Sequence, residues 1–268
     1  MSSNGQADLQ RSIPLLGALP RPLYARAESL WAGSWTARHR HPWVQLSYAI
    51  SGVLGVHTAA GSFFAPPQWA VWVPAELEHE VFTSMHAEMR SLYIRRDACT
   101  WAPPRCRVLE VTGLTRELIK QFCRLPSEYP EGESAESRLV GVLLDQLAAA
   151  PEAGFSLPMP AEGRLRGLCG ELLKQPDLAC SLGEWARRAN TSEKTLMRAF
   201  QRETGMSFRQ WRRRLRLLSA LQPLEGGASV TQAALGCGYE SPSAFIAAFR
   251  ELFGATPGEL FRRPEGSG

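Results

Sequence analysis

The sequence predicts an α+β protein: an all-β N-terminal half, a helical segment, and an all-α C-terminal domain built from two copies of a helix-turn-helix pattern. Three observations carry this. Short β-branched and aromatic runs, punctuated by Gly and Pro, fill residues 20–96. The stretch 151–163 (PEAGFSLPMPAEG) is rich in Pro, Gly and Ala and has no apolar periodicity, which marks an interdomain linker. Between Ser181 and Arg263 one pattern occurs twice, about fifty residues apart: an apolar-periodic helix, a short polar turn, and a second apolar-periodic helix ending in Gly.

Taken in order, residues 1–19 read as a disordered tail, without the basic start and apolar core of a secretory signal. Residues 20–110 are expected to form a β barrel or sandwich from the runs SLWAGSW, VQLSYAIS, GVLGVHTAAG, SFFAPPQ, WAVWVPA, HEVFTS and MRSLYIR. Within it, 97–110 should be irregular around Pro103-Pro104. Trp43, Tyr48, Trp69, Trp72 and Phe82 are candidates to line its interior. All five histidines (His39, His41, His57, His79 and His86) lie in this half. Residues 111–150 carry two helical stripes: Leu114, Leu118, Ile119 and Phe122, then Leu139, Val142, Leu143, Gln146 and Leu147. Such a pair either caps its own β domain or packs against a second subunit.

The C-terminal domain, 164–264, opens with a lead-in helix through Leu165, Leu168, Cys169, Leu172 and Leu173 that stops at Pro176. In the first copy Leu182, Trp185, Ala186 and Ala189 share one face. Ser192 then N-caps a helix that buries Leu196, Ala199 and Phe200 and closes at Gly205. The second copy repeats this through Val230, Ala233 and Ala234, a Gly236-Cys237-Gly238 turn, and Ser241 as N-cap with Pro242 at the first helical position. Phe245, Ala248, Phe249, Leu252 and Phe253 form its apolar stripe, ended by Gly254. A connector from Ser207 to about Leu221, ended by Pro223, buries Phe208, Trp211, Leu215 and Leu218 and turns Arg209, Arg212, Arg213 and Arg216 elsewhere. Two helices joined by a tight turn fit a nucleic-acid reader or a plain helical bundle; duplication around a basic connector favours the reader.

Composition agrees. Hydrophobic residues make up 44% of the chain, enough for folded cores, and no eighteen-residue apolar run implies a membrane span. The net charge of +4 is uneven: residues 161–268 hold 16 Lys/Arg against 11 Asp/Glu, whereas 1–160 hold 14 against 15. The positive excess therefore sits where phosphate would be met. Six scattered cysteines without a C-x-x-C pair suggest a reducing, cytoplasmic setting and core thiols.

The run from Ala234 to Pro257, A-x-G-C-G-Y-E-S-P-S-x-F-x-x-A-F-R-x-x-F-G-x-T-P, resembles the C-terminal domain of AraC/XylS-family transcription regulators. Ser192 to Phe208 matches more loosely through S-E-K-T-L-x-R-x-F-x-x-E-T-G-x-S-F. The resemblance covers roughly the last hundred residues. It implies double-stranded operator DNA as a partner, with Lys194, Met197 and Arg198 facing the groove and Ser192 and Thr195 at phosphate or a base edge. Arg198 is the candidate for bidentate pairing with guanine. The matching positions of the second helix are Ser243, Ala244 and Ala247, suited to methyl packing and shape readout, with Ser241, Ser243 and Arg250 as backbone anchors.

The opening R-H-R-H-P-W-x-Q-L-S-Y and the later E-L-E-H resemble the two motifs of cupin barrels. His39, His41 and His79 match cupin metal-ligand positions, with Gln45 where that family has Glu. The first half is therefore expected to be a cupin-like sensor barrel whose residues bind a divalent transition metal, bind a small molecule, or serve structure alone. The resemblance further implies contact with RNA polymerase, allows a homodimer through 111–150, and expects no enzymatic activity. The alternative is a metal-dependent cupin enzyme, a dioxygenase or isomerase, carrying a DNA-binding tail.

Overall fold

The computed structural model describes residues 9–13, 16–83, 85–161, 163–188 and 190–261. Ala189, residues 1–8, 14–15 and 262–264, for which the sequence raised expectations, lie outside them. By contact the chain forms two compact units: Met1–Thr58 with Phe63–Phe155, and Ala59–Ser62 with Ser156–Gly268.

The strands are β1 (Gln10–Arg11), β2 (Leu23–Leu30), β3 (Trp35–Thr36), β4 (Val44–Ser51), β5 (Leu54–Thr58), β6 (Gly61–Ala65), β7 (Trp69–Val73), β8 (His79–Phe82), β9 (Ala87–Ile94), β10 (Arg107–Glu110), β11 (Glu152–Ala153) and β12 (Ser156–Pro158). They lie in two six-stranded sheets, β1-β3-β8-β5-β6-β12 and β11-β10-β7-β4-β9-β2. Three details differ from the sequence reading. Within the 1–19 segment, expected to be a disordered tail, Gln10–Arg11 pair in parallel with Trp35–Thr36, and Leu19 is buried against Trp43 and Tyr93. The 97–110 stretch is not wholly irregular: Arg107–Glu110 pair antiparallel with β7, placing Val108 opposite Val71. A four-residue strand shows no period of its own, so its partner defines it. The expected linker at 151–163 carries β11 and β12.

β4 explains how this unit combines an apolar core with a polar interior. It lies between β7 and β9, and Val44 to Ala49 are all buried, so both its faces are covered. Alternation sends Val44, Leu46 and Tyr48 to one face and Gln45 and Ser47 to the other. On the first face Leu46 lies opposite Trp72 and Leu92 and joins the main core, which helices α1 (Gly113–Phe122) and α2 (Ala135–Ala149) complete through Ile119, Phe122, Val140, Leu143 and Leu147. Each such aliphatic or aromatic side chain contributes about 1.5–3 kcal/mol by leaving water. Tyr48 and Trp72, candidates for the interior lining, belong instead to this helix-covered face.

The helix stripes also shift. α1 buries Thr115, Ile119 and Phe122, whereas Leu114 is 55% exposed. α2 buries Val140, Leu143 and Leu147, whereas Val142 is 45% exposed. One residue is about 100° of helix rotation, so a stripe drawn one position early in the first turn points off the core. Thr115 can be buried because its hydroxyl bonds that of the N-cap Thr112 at 2.9 Å.

The second unit contains α3 (Gly163–Lys174), α4 (Leu182–Arg188), α5 (Glu193–Thr204), α6 (Phe208–Ser219), α7 (Leu221–Glu225), α8 (Val230–Gly236), α9 (Pro242–Phe253) and α10 (Pro257–Leu260). The connector is shorter than expected: α6 has 12 residues, about 18 Å. Pro223 does not end it but sits in the first turn of α7, where a backbone N–H has no intrahelical acceptor. Ser207 starts α6 with a reciprocal capping box to Gln210. Trp211 is fully buried, packs edge-on against Phe200 at 5.7 Å, and donates Nε1–H to the carbonyl of Pro158 at 2.6 Å.

Candidate functional site

Two surfaces carry the residues singled out by the sequence. The first is the pair α5 and α9, which are built alike. Each has 12 residues. The Ser192 hydroxyl accepts from the Thr195 N–H at 3.1 Å, and the Ser241 hydroxyl accepts from the Ala244 N–H at 3.2 Å. Gly205 and Gly254 close them with φ of 69° and 77°, a left-handed conformation that costs glycine nothing. Burial of Leu196 and Phe200 on α5, and of Phe245, Ala248 and Phe249 on α9, fixes the rotation of each helix. Lys194, Thr195, Met197 and Arg198 are consequently exposed, as are Ser243, Ala244, Ala247 and Arg250. Met197 is 50% exposed, an apolar side chain among polar ones on the outer face of α5. Ser192 and Ser241 are spent as caps, although an accepting hydroxyl keeps a proton to donate.

The arginines of α6 serve a purpose that sequence reasoning missed. Arg212 donates to the carbonyls of Cys180 and Leu178, Arg216 to those of Pro176 and Gly238, and Arg213 pairs with Glu251 of α9. These charges fasten α6 to the segments before α4 and after α8 and to α9 itself. No sequence signal separates them from DNA-facing arginines, because their acceptors, backbone carbonyls and the Glu251 carboxylate, lie on remote segments.

The second surface is internal. His39 and His79 exchange both backbone hydrogen bonds, at 3.0 and 2.9 Å, as an isolated antiparallel pair, which puts them directly opposite each other. His-x-His spacing places His41 on the same face as His39. The rings of His39 and His79 are 4.2 Å apart and those of His41 and His79 5.1 Å. Gln45 enters from the polar face of β4, opposite Val73 and Tyr93. The structure thus brings together all four residues matched to ligand positions; His41, Gln45 and His79 are buried and His39 half-buried. Trp43 stacks on His41 with a 12° interplanar angle.

Hydrogen bonding fixes the chemistry of the imidazoles. Nδ1 of His39 lies 2.8 Å from the Ala37 carbonyl, Nδ1 of His41 2.9 Å from that of Trp43, and Nδ1 of His79 2.9 Å from that of Leu77. A carbonyl only accepts, so each Nδ1 carries the proton and each Nε2 presents a lone pair. Nε2 of His41 and of His79 lie 3.0 and 3.1 Å from Oε1 of Gln45, whose amide nitrogen donates to the Ser47 hydroxyl at 3.0 Å. Burial pulls His79 down to about 3, so its ring is neutral at neutral pH, and burial also lowers His39 from its ordinary value. Three imidazoles whose available nitrogens lie within 4.8 Å of one another fit a transition metal.

His57 and His86 stand apart. His86 is exposed beside Glu88 and Trp31. His57 stacks on Phe82 at 4.1 Å, and burial, with Arg38 adding to it, lowers its pKa to about 4. The unfolded chain therefore takes up this proton first. The stability it confers is complete above about pH 6.5 and is lost as pH falls toward 4, on the order of 2 kcal/mol. Urea melts between pH 4.5 and 7.5 should show His57→Phe gaining on the wild type as pH falls. A pH-independent difference would show that His57 does not titrate with folding. The cysteines are all unpaired thiols, and burial raises Cys99 to about 11, which suits core residues better than redox sensors.

Among known proteins, the helix-turn-helix domain family matches residues 185–263. The HTH-type transcriptional regulator NimR of Escherichia coli is 36% identical over 225 residues, spanning 84% of this chain and 82% of that protein. The HTH-type transcriptional regulator RipA of Corynebacterium glutamicum is 35% identical over 100 residues, 37% of this chain and 30% of that protein. Among solved structures, ToxT from Vibrio cholerae aligns over 92% of this chain and 100% of its own at 10% identity and a TM-score of 0.39, too distant to carry an argument.

Proposed function

Since the chain belongs to the AraC-type family of helix-turn-helix transcriptional regulators, we propose that α5 and α9 are its two DNA-reading helices and that the histidine pocket of the N-terminal unit receives the effector. The chain is a regulator and not an enzyme, in keeping with relatives named for transcription. The observation that carries the DNA reading is the matched construction of α5 and α9, with identical caps and opposite chemistry on their exposed faces. α5 offers Lys194, Thr195, Met197 and Arg198, side chains long enough to reach base edges, and Met197 suits a thymine methyl. α9 offers Ser243, Ala244 and Ala247, which pack closely without hydrogen-bond readout, while Ser241 and Arg250 take phosphates. Sequence choice is thus concentrated in α5.

RNA polymerase contact, a homodimer through α1 and α2, a metal or small-molecule effector and a cytoplasmic location go with this reading. No described helix is long and apolar enough to cross a membrane. Selection of binding sites from a random DNA pool tests it. The expected product is one strongly specified half-site for α5 and a weaker one about one helical turn away for α9. Recovery of no preferred sequence would overturn it.

A substitution in α9 tests the division of labour. Ala247→Arg adds a long cation to an exposed position and should tighten binding while leaving stability within about 0.5 kcal/mol. Weaker binding with unchanged melting would mean that α9 packs too closely on DNA to accept the added bulk.

A further inference from the structure

We propose that a cleft outside the histidine pocket, where the ends of β4 and β7 meet the segment 96–104, binds a small aromatic carboxylate. It is a second ligand site of the N-terminal unit, separate from His39, His41 and His79.

The cleft encloses about 560 Å3, a volume suited to a small molecule. Val44, Trp72, Cys99 and Ala102 give it apolar walls. Trp72 is fully buried, yet its Nε1–H meets no acceptor among the described residues. Its neighbours cannot supply one. In the sheet it lies opposite Leu46 and Arg107, an aliphatic side chain and a guanidinium that only donates. The Trp101 ring, 5.1 Å away, carries only a donor as well. The remaining border of the indole is the cleft, and an acceptor seated there satisfies it. Cys99 takes no covalent part: its thiol donates to the Arg95 carbonyl at 3.3 Å, and burial raises it to about 11.

Charge selects an anion. Arg96 lines the cleft, is exposed, and makes no ion pair among the described residues. Asp97 beside it does not neutralise it, because Arg95 holds both Asp97 oxygens at 3.0 and 2.9 Å. Arg107 stands 5.4 Å over the Trp72 ring, and its Nε and Nη2 also lack acceptors. Glu152, the carboxylate that acts on Arg107, is itself clamped by Arg105 through two bonds of 2.6 Å. Against these two cations the rim sets only Glu76. A carboxylate thus finds Arg96 and the indole N–H, and a rigid flat body loses least freedom between apolar walls.

The rim also reaches the histidines. Pro74 and Leu77 close a turn at 3.4 Å, with Glu76 at a φ of 62°, a left-handed conformation that favours glycine. The Glu76 N–H donates to the His41 carbonyl at 2.9 Å, and the Leu77 carbonyl accepts from Nδ1 of His79 at 2.9 Å. A ligand seated against this turn bears on the backbone that holds both imidazoles.

The test is calorimetric titration of the full-length protein with 2-naphthoate. One equivalent should bind, and 2-naphthamide, uncharged and of similar shape, should bind about tenfold more weakly. Arg96→Gln, at an exposed position, should weaken 2-naphthoate about tenfold. Trp72→Phe keeps a ring but loses the N–H and should weaken it about fivefold. Arg96→Gln carries the test should Trp72→Phe fail to fold. At saturation, hydrogen exchange of the Glu76 amide should slow about threefold. Absence of binding at millimolar 2-naphthoate, or full affinity in Arg96→Gln, would overturn the site and leave the indole N–H to solvent. Binding lost in His39→Ala but kept in Arg96→Gln would place the anion in the histidine pocket instead. Unchanged Glu76 exchange would overturn the link to the histidines. No DNA enters these titrations, so failure of the DNA reading appears only in the separate site selection.

Discussion

Trp211→Ala should cost the helical unit about 3–5 kcal/mol, a large share of what holds a domain of this size together. Trp211 is fully buried. Its ring meets Phe200 of α5 at 5.7 Å, and its N–H reaches the Pro158 carbonyl of β12 at 2.6 Å. Alanine would therefore leave a cavity between α5 and α6 and remove the partner of a half-buried carbonyl. Chemical denaturation followed by helical circular dichroism measures the loss. Trp211→Phe should be intermediate, keeping an aromatic contact but losing the hydrogen bond, at about 1–3 kcal/mol. Arg209→Ala, on the exposed side of the same helix, should stay within about 0.5 kcal/mol. A cost under 1 kcal/mol for alanine would show that α5 and α6 do not depend on this packing.

Arg198→Ala should weaken operator binding by about 1–3 kcal/mol, roughly ten- to a hundredfold, and relax preference at one or two base pairs. Arg198 is exposed on α5, and Leu196 and Phe200 on either side of it in sequence are buried, so its direction follows from the packing. Titrations on the selected site and on its single-base variants separate two outcomes. Loss concentrated at particular bases identifies direct readout. Equal loss across all variants, with a shallower salt dependence, would make Arg198 a phosphate contact. Folding should be untouched, since the substitution removes no buried surface.

The repeated modules were legible in the sequence because their signals are local. A serine at the N-cap, a glycine at the C-cap and apolar residues three and four apart act within one or two turns, and the rotation of α5 and α9 follows from them. The His-x-His spacing is local in the same sense, and the resemblance added His79 and Gln45 to it. What was not legible depends on partners far away in the chain. β10 exists because β7 runs alongside it. α1 turns Thr115 rather than Leu114 to the core because the sheet, not the helix, decides which side is covered.

The α+β class, the two helix-turn-helix copies and the residues on their outer faces can be read from the amino-acid order, since each rests on interactions spanning a few residues. Tertiary packing alone makes Arg212, Arg213 and Arg216 fasteners, turns Tyr48 and Trp72 to the helices, and brings Nε2 of His79, 34 residues from Gln45, to the Oε1 that also meets His41. The physical reason is the same for all three. A hydrogen bond to a remote backbone carbonyl, or the choice between two faces of a strand buried on both sides, leaves no periodic trace in the chain that makes it.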